Sequence, residues 1–237
     1  MAGSIMRNIF YKFSRCKYNY FQKKIDIKWQ KLYPYNEICK DGILIYEKYY
    51  ATKPKIMFLL KEPADGFYIK RESPKGSYGP YGNSGRFWRH MRMWTYIIRK
   101  YYHKKIPNYS KAESIKEEEN ISIAYVNIVK ENDNAYSDQH ILEEYIKNKK
   151  HKKLLINQLR IIKPDVIICG GTFKYLKAIF GTKIIKQNFK LYKFKKIKII
   201  DFCHPSCFIG NYLKYFNKLS NISKNMWVSA TVPEDTL

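Results

Sequence analysis

The chain reads as an α/β protein, a three-layer α/β/α sandwich with a central, largely parallel open sheet, and three observations carry that expectation. Apolar runs over residues 55–60, 121–129, 165–169 and 197–203 have the length and β-branched content of buried strands. Longer segments between them repeat their apolar residues at helical spacing. Strand and helix therefore alternate, an order that puts helices on both faces of a parallel sheet.

A length of 237 residues suits one sizeable domain and is short for two. A single domain over 1–237 is expected, with an N-terminal helical wrap over about 5–50, a core over about 55–212, and a C-terminal helix and tail over 213–237. In the wrap, Phe10, Phe13, Tyr20, Phe21 and Trp29 suggest helices folded around a core. Residues 55–60, after Pro54, then form a strand that ends at Glu62-Pro63. The following loop, rich in glycine and proline from Gly66 to Gly85, is longer than a connection needs and is suited to shaping a site.

A helix over about 86–101 offers Phe87, Met91, Trp94, Tyr96 and Ile98 for burial, and the polar stretch 103–120 reads as a linker or surface insertion. Strand 121–129 is interrupted near its carboxyl end by a polar residue, Asn127. A helix over about 143–162 shares Leu155, Leu159 and Ile162 on one face and holds the basic run Lys147 to Lys153, a solvated face that a phosphate backbone can also use. Pro164 ends it, strand 165–169 follows, and Gly170-Gly171-Thr172 turns into a helix ending at Phe180 and Gly181. Residues 189–192 and 197–203 add two strands, the first lysine-rich as edge strands often are.

Lys and Arg number 45 against 20 Asp and Glu, a net charge of +25, far more than solubility requires. With 22 Tyr and 13 Phe interleaved, the excess points to DNA or another polyanion as partner, although a lysine- and tyrosine-rich coding bias also raises these counts. The five cysteines include no CxxC pair, which suits reduced thiols in the cytosol. Near the N-terminus Lys12, Arg15 and Lys17 break the apolar stretch, so neither a signal peptide nor a membrane span is expected. A bacterial cytosolic or nucleoid protein with no obligate protein partner is the matching expectation.

Sites in open α/β sheets lie beyond the carboxyl ends of the strands. Four features fall there: Glu62-Pro63, Asn127, Gly170-Gly171 and His204-Pro205-Ser206. Each has an ordinary reading, as an exposed carboxylate, a strand-end turn residue, a helix-opening turn and a core histidine, and Phe87 has one as a packed helix residue. Their coincidence at strand ends reads instead as one site.

The ordered set resembles the uracil-DNA glycosylase superfamily over most of residues 55–212. Residues 56–63, IMFLLKEP, are similar to its strand and water-activating motif; Gly85-Arg86-Phe87-Trp88 to the helix start of mismatch-specific members; and Val126-Asn127-Ile128-Val129-Lys130 to a strand of the iron–sulfur members. Residues 159–171, LRIIKPDVIICGG, and His204-Pro205-Ser206 match the remaining motifs. The resemblance implies a monofunctional DNA N-glycosylase that flips a pyrimidine and hydrolyses its glycosidic bond. Glu62 would hold the water and His204 would donate to the departing base. Asn127, Phe87, Pro63 and Ala64 would bind the base; Lys61, Lys75, Ser77 and Ser206 would hold phosphates; and Phe208 or Ile209 would wedge into the stack.

Three departures bear on substrate and activity. Leu60 stands where the family usually has glycine, and Glu62 replaces Asp or Asn, moving the carboxylate by about 1.5 Å. Ala64 replaces the tyrosine that excludes C5 substituents in strictly uracil-specific members. The implied substrates are thus uracil, mismatched thymine, or 5-modified cytosine including glucosylated forms, the last as in members that act in antiviral defence. Five cysteines without two suitably spaced pairs argue against a cluster, and no metal or cofactor is expected. Two other readings stay open: a non-catalytic binder of modified or damaged DNA with the same fold, and a nucleoside or nucleotide hydrolase.

Overall fold

The computed structural model describes residues 2–36, 38–63, 86–115, 122–131, 139–207 and 211–228. Two runs without a polar interruption build the centre of the sheet. Every residue of β2 (Ile56–Leu60) and β4 (Val166–Gly170) is buried, which requires cover on both faces. They are joined by β1 (Gly42–Ile43), β3 (Ala124–Asn127), β5 (Ile185–Asn188), β6 (Leu191–Phe194) and β7 (Ile197–Phe202) in the order β1-β3-β2-β4-β7-β6-β5.

The sheet is mixed where a largely parallel one was expected. Strands β3, β2, β4 and β7 run parallel, whereas β1 on one side and β6 and β5 on the other are antiparallel additions. The outer pair arises because a two-residue turn returns the chain at once, which only antiparallel pairing allows.

Alternation along the strands divides the core in two. Met57, Leu59, Val126 and Ile167 face α1 (Ala2–Leu32), α2 (Tyr46–Ala51), α5 (Gln139–Lys147), α6 (Lys149–Ile162) and α7 (Phe173–Phe180). Ile56, Phe58, Leu60 and Ile168 face α3 (Arg86–Tyr102), α4 (Tyr109–Glu113) and α8 (Tyr212–Val228). Helices thus cover both faces of the sheet.

Several local expectations are corrected. The helix expected over 143–162 is two helices, because the Asn148 side chain accepts from Lys150 N at 2.9 Å and starts α6 afresh. The N-terminal wrap is led by one helix of 31 residues. The stretch 103–120 contains α4, capped by Asn108, whose Oδ1 accepts from Lys111 N at 3.0 Å. The strand expected over 189–192 is instead the turn of the β5–β6 hairpin and the first half of β6. Asn188 Oδ1 accepts from Phe189 N at 2.7 Å and Lys190 takes a φ of 55°, which reverses the chain there. Among the described residues no helix is long and apolar enough to cross a membrane.

Candidate functional site

Parallel strands share a direction, so the carboxyl ends of β3, β2, β4 and β7 line one edge of the sheet. Leu60 is paired with Asn127, Leu59 with Cys169, and Gly170 with Phe202. The residues that follow these ends are tied together: Val129 N donates to Lys61 O at 2.9 Å and Gly171 N to Phe202 O at 2.8 Å. All four sequence features thus stand along one edge.

The His204 loop is a tight turn, closed by Cys207 N donating to His204 O at 2.9 Å with Pro205 in its second position. His204 Nδ1 lies 2.6 Å from Ser206 Oγ and accepts from Ser206 N at 3.3 Å. A ring nitrogen that accepts from N–H carries no proton, so the neutral ring holds its hydrogen on Nε2. Burial, aided by the Lys61 ammonium, pushes the His204 pKa down to about 4. At neutral pH the half-buried ring therefore presents Nε2–H as an uncharged donor.

Support for this loop comes from residues that the sequence did not flag. His90, at the start of the second turn of α3 and only 2 % exposed, donates Nδ1–H to Pro205 O at 2.6 Å. Burial lowers its pKa, and its ring packs 4.7 Å from that of Tyr212. At Gly170 a Cβ would sit 3.0 Å from Leu60 Cδ2 and 3.2 Å from Pro205 Cδ, so the missing side chain lets strand and loop close together. Leu60 thereby fills space over Gly170, which accounts for a bulky residue where the resemblance has glycine.

The neighbours of His204 are Phe87, with ring centroids 5.9 Å apart, and Lys61. A Cβ on Gly171, which turns the chain at φ +70°, would lie 3.5 Å from Lys61 Cε and 3.9 Å from His204 N. Phe87 and Glu62 are half-buried, Pro63 is buried and Ser206 is exposed. Ala64, Lys75, Ser77, Phe208 and Ile209 lie outside the described residues.

Asn127 stands apart from His204. Strands β2 and β4 lie between β3 and β7, so about 14 Å separates the two strand ends, with the Glu62 segment between them. Asn127 is 3 % exposed, and its Nδ2 donates to Cys39 Sγ at 3.5 Å. Its backbone N donates to Asp41 Oδ2 at 2.6 Å. Asp41 also accepts from Lys130 Nζ at 2.6 and 2.8 Å and from Gln158 Nε2 at 2.6 Å. Asp41 and Lys130 are each 1 % exposed, so the network is a dry ion pair fixing the end of β3. Burial and the adjacent Asp41 push the Cys39 thiol up to about 12, which keeps it protonated as a weak neighbour of Asn127.

The electrostatics of the edge favour anions. The first turns of α3, α6, α7 and α8 contain no acidic residue, although carboxylates are favoured there. Gln158 reaches Asp41 beside Asn127, so residues 149–153 of α6 extend roughly 8 to 14 Å further toward and past the carboxyl edge at 1.5 Å per residue. There Lys149, Lys150 and Lys153 are exposed. Neither a family model nor a curated protein sequence matches the chain.

Proposed function

We propose that the protein is a monofunctional DNA glycosylase of the uracil-DNA glycosylase type, which extrudes a pyrimidine and hydrolyses its N-glycosidic bond. The observation that carries this reading is the His204 loop: a neutral imidazole with Nδ1 locked as acceptor, Phe87 beside it, and Glu62 beyond the end of β2, two strands away along the same edge.

In this reading the flipped nucleoside lies along the edge between Asn127 and His204, with its ring on Phe87. Breakage of the C1′–N1 bond leaves positive charge on the sugar and the bonding electron pair on the base. Glu62 stabilises the cation and orients the water whose oxygen bonds to C1′. His204 Nε2–H donates to the base O2 as it becomes anionic, and a neutral donor suffices. The proton lost from the water ends on the base, which departs neutral and leaves an abasic site. The Asn127 amide reads the Watson–Crick edge after turning from Cys39. A cytosolic setting belongs to the same proposal.

The test is incubation with DNA carrying uracil, mismatched thymine, or plain, hydroxymethylated or glucosylated cytosine, followed by mass identification of any free base. Release of one base with an alkali-labile site left behind is expected. Binding to such DNA with no base released would favour the non-catalytic binder instead.

A further inference from the structure

The β5–β6 hairpin has no part in the chemistry just described, yet it ends at the same edge. β6 runs antiparallel to β7, with Leu191 opposite Ile200, and Asp201 N donates to Lys190 O at 2.9 Å. The hairpin tip, Asn188 to Lys190, therefore sits three residues or fewer from the His204 loop in strand register. β5 is the outermost strand and is exposed along its whole length.

The composition of this region is one-sided. Between Val166 and Ile200 the sequence has nine lysines and no Asp or Glu. At the tip, Phe189 is 64 % exposed, an unusual position for a large aromatic in a turn. Across from it α8 presents Lys218, Asn221 and Asn225, which with Asn188 and Phe189 line a crevice of about 170 Å³. Lys190 and Lys218 both bear electrostatically on Cys203, the residue before His204, so this crevice adjoins the candidate site.

We infer that the hairpin tip and the facing side of α8 dock a single DNA strand as it leaves the site, with one unpaired base stacked on Phe189 and its phosphates held by Lys190 and Lys218. The chemistry of the crevice matches that occupant. An exposed ring offers a π-face to any base, amides offer both donors and acceptors to a base edge, and among the described residues neither ammonium is held in a salt bridge. An acidic protein would use the lysines and leave the ring and amides without purpose. The inference rests on the proposal that DNA is the partner, and it does not depend on base release.

The experiment measures binding of a fluorescent single-stranded oligonucleotide and of one carrying 2-aminopurine, using the full chain. Phe189→Ala is expected to weaken binding roughly 5- to 150-fold and to abolish aminopurine quenching, and Phe189→Trp to restore both. Lys190→Asn, which tolerates the left-handed backbone, combined with Lys218→Gln, should reduce the slope of log K against log salt by about 1.4. Thermal melts of each variant establish that the fold is kept, since the tip is exposed. Unchanged affinity and quenching in Phe189→Ala overturn the inference, as does an effect of the lysine pair alone. If the wild type binds no DNA, this inference and the proposed function both fall. Hairpin-dependent binding without base release from any substrate leaves the docking surface standing and removes the glycosylase.

Discussion

A ring nitrogen that accepts hydrogen bonds cannot also hold a proton, and this decides what His204 offers. Ser206 supplies both the N–H and the hydroxyl at Nδ1, so the triplet spacing fixes the tautomer. The turn and its contacts at Nδ1 were legible in the sequence because histidine, proline and hydroxyl are adjacent there. Its protonation state was not, because burial and the Lys61 charge come from other strands. With a folded pKa near 4 against about 6.5 unfolded, protonation favours the unfolded chain. The stability this residue contributes is thus complete above about pH 6.5 and is lost as pH falls toward 4. Burial lowers His90 and His151 as well, adding in the same direction. The melting temperature of the wild type should fall between about pH 6.5 and 4.5, and less so in His204→Asn, whose amide oxygen can replace Nδ1 as acceptor. Identical pH dependence in the two proteins would count against a neutral, depressed His204.

Among elements, the parallel strands were the most legible. The fully apolar runs of β2 and β4 demanded burial on both faces, and the polar or glycine residues at the ends of the parallel strands marked the edge that holds the candidate site. The ion pair behind Asn127 was not legible, because Asp41 lies in a short irregular segment and meets Lys130 and Gln158 only through the tertiary fold. Removing it exposes its weight: Asp41→Ala leaves the Lys130 ammonium buried without a partner, and urea unfolding should show a loss of about 3–5 kcal/mol. A loss under 1 kcal/mol would mean that water reaches the site. The hairpin also escaped prediction, since an exposed outer strand shows no alternation and its turn is set by Asn188 and a left-handed Lys190.

The closure between β4 and the His204 loop can be tested by filling it. Gly170→Ala inserts a methyl 3.2 Å from Pro205 Cδ and 3.0 Å from Leu60 Cδ2. About 1–3 kcal/mol of overpacking strain is expected. Because Pro205 belongs to the catalytic turn of the proposal, base release should fall more than stability alone explains. A variant with full activity and reduced stability would show that the turn tolerates displacement.

For the whole molecule, a net charge of +25 and four helix N-termini without first-turn carboxylates set a field suited to a polyanion. Duplex affinity should fall on the order of 10³-fold or more between about 50 and 200 mM salt, as for a footprint of several phosphates. A shallow dependence would favour free nucleosides as substrate. The proposed division of glycosidic-bond cleavage, Glu62 acting on the sugar and His204 on the base, is measured by single-turnover base release. The substrate is whichever DNA the wild type cleaves, with binding followed in parallel. Glu62→Gln and His204→Ala are each expected to lose roughly 10²-fold or more in rate while binding DNA as the wild type does. Wild-type rates in both variants, or no base released by the wild type from any modified or mismatched DNA that it binds, would contradict it.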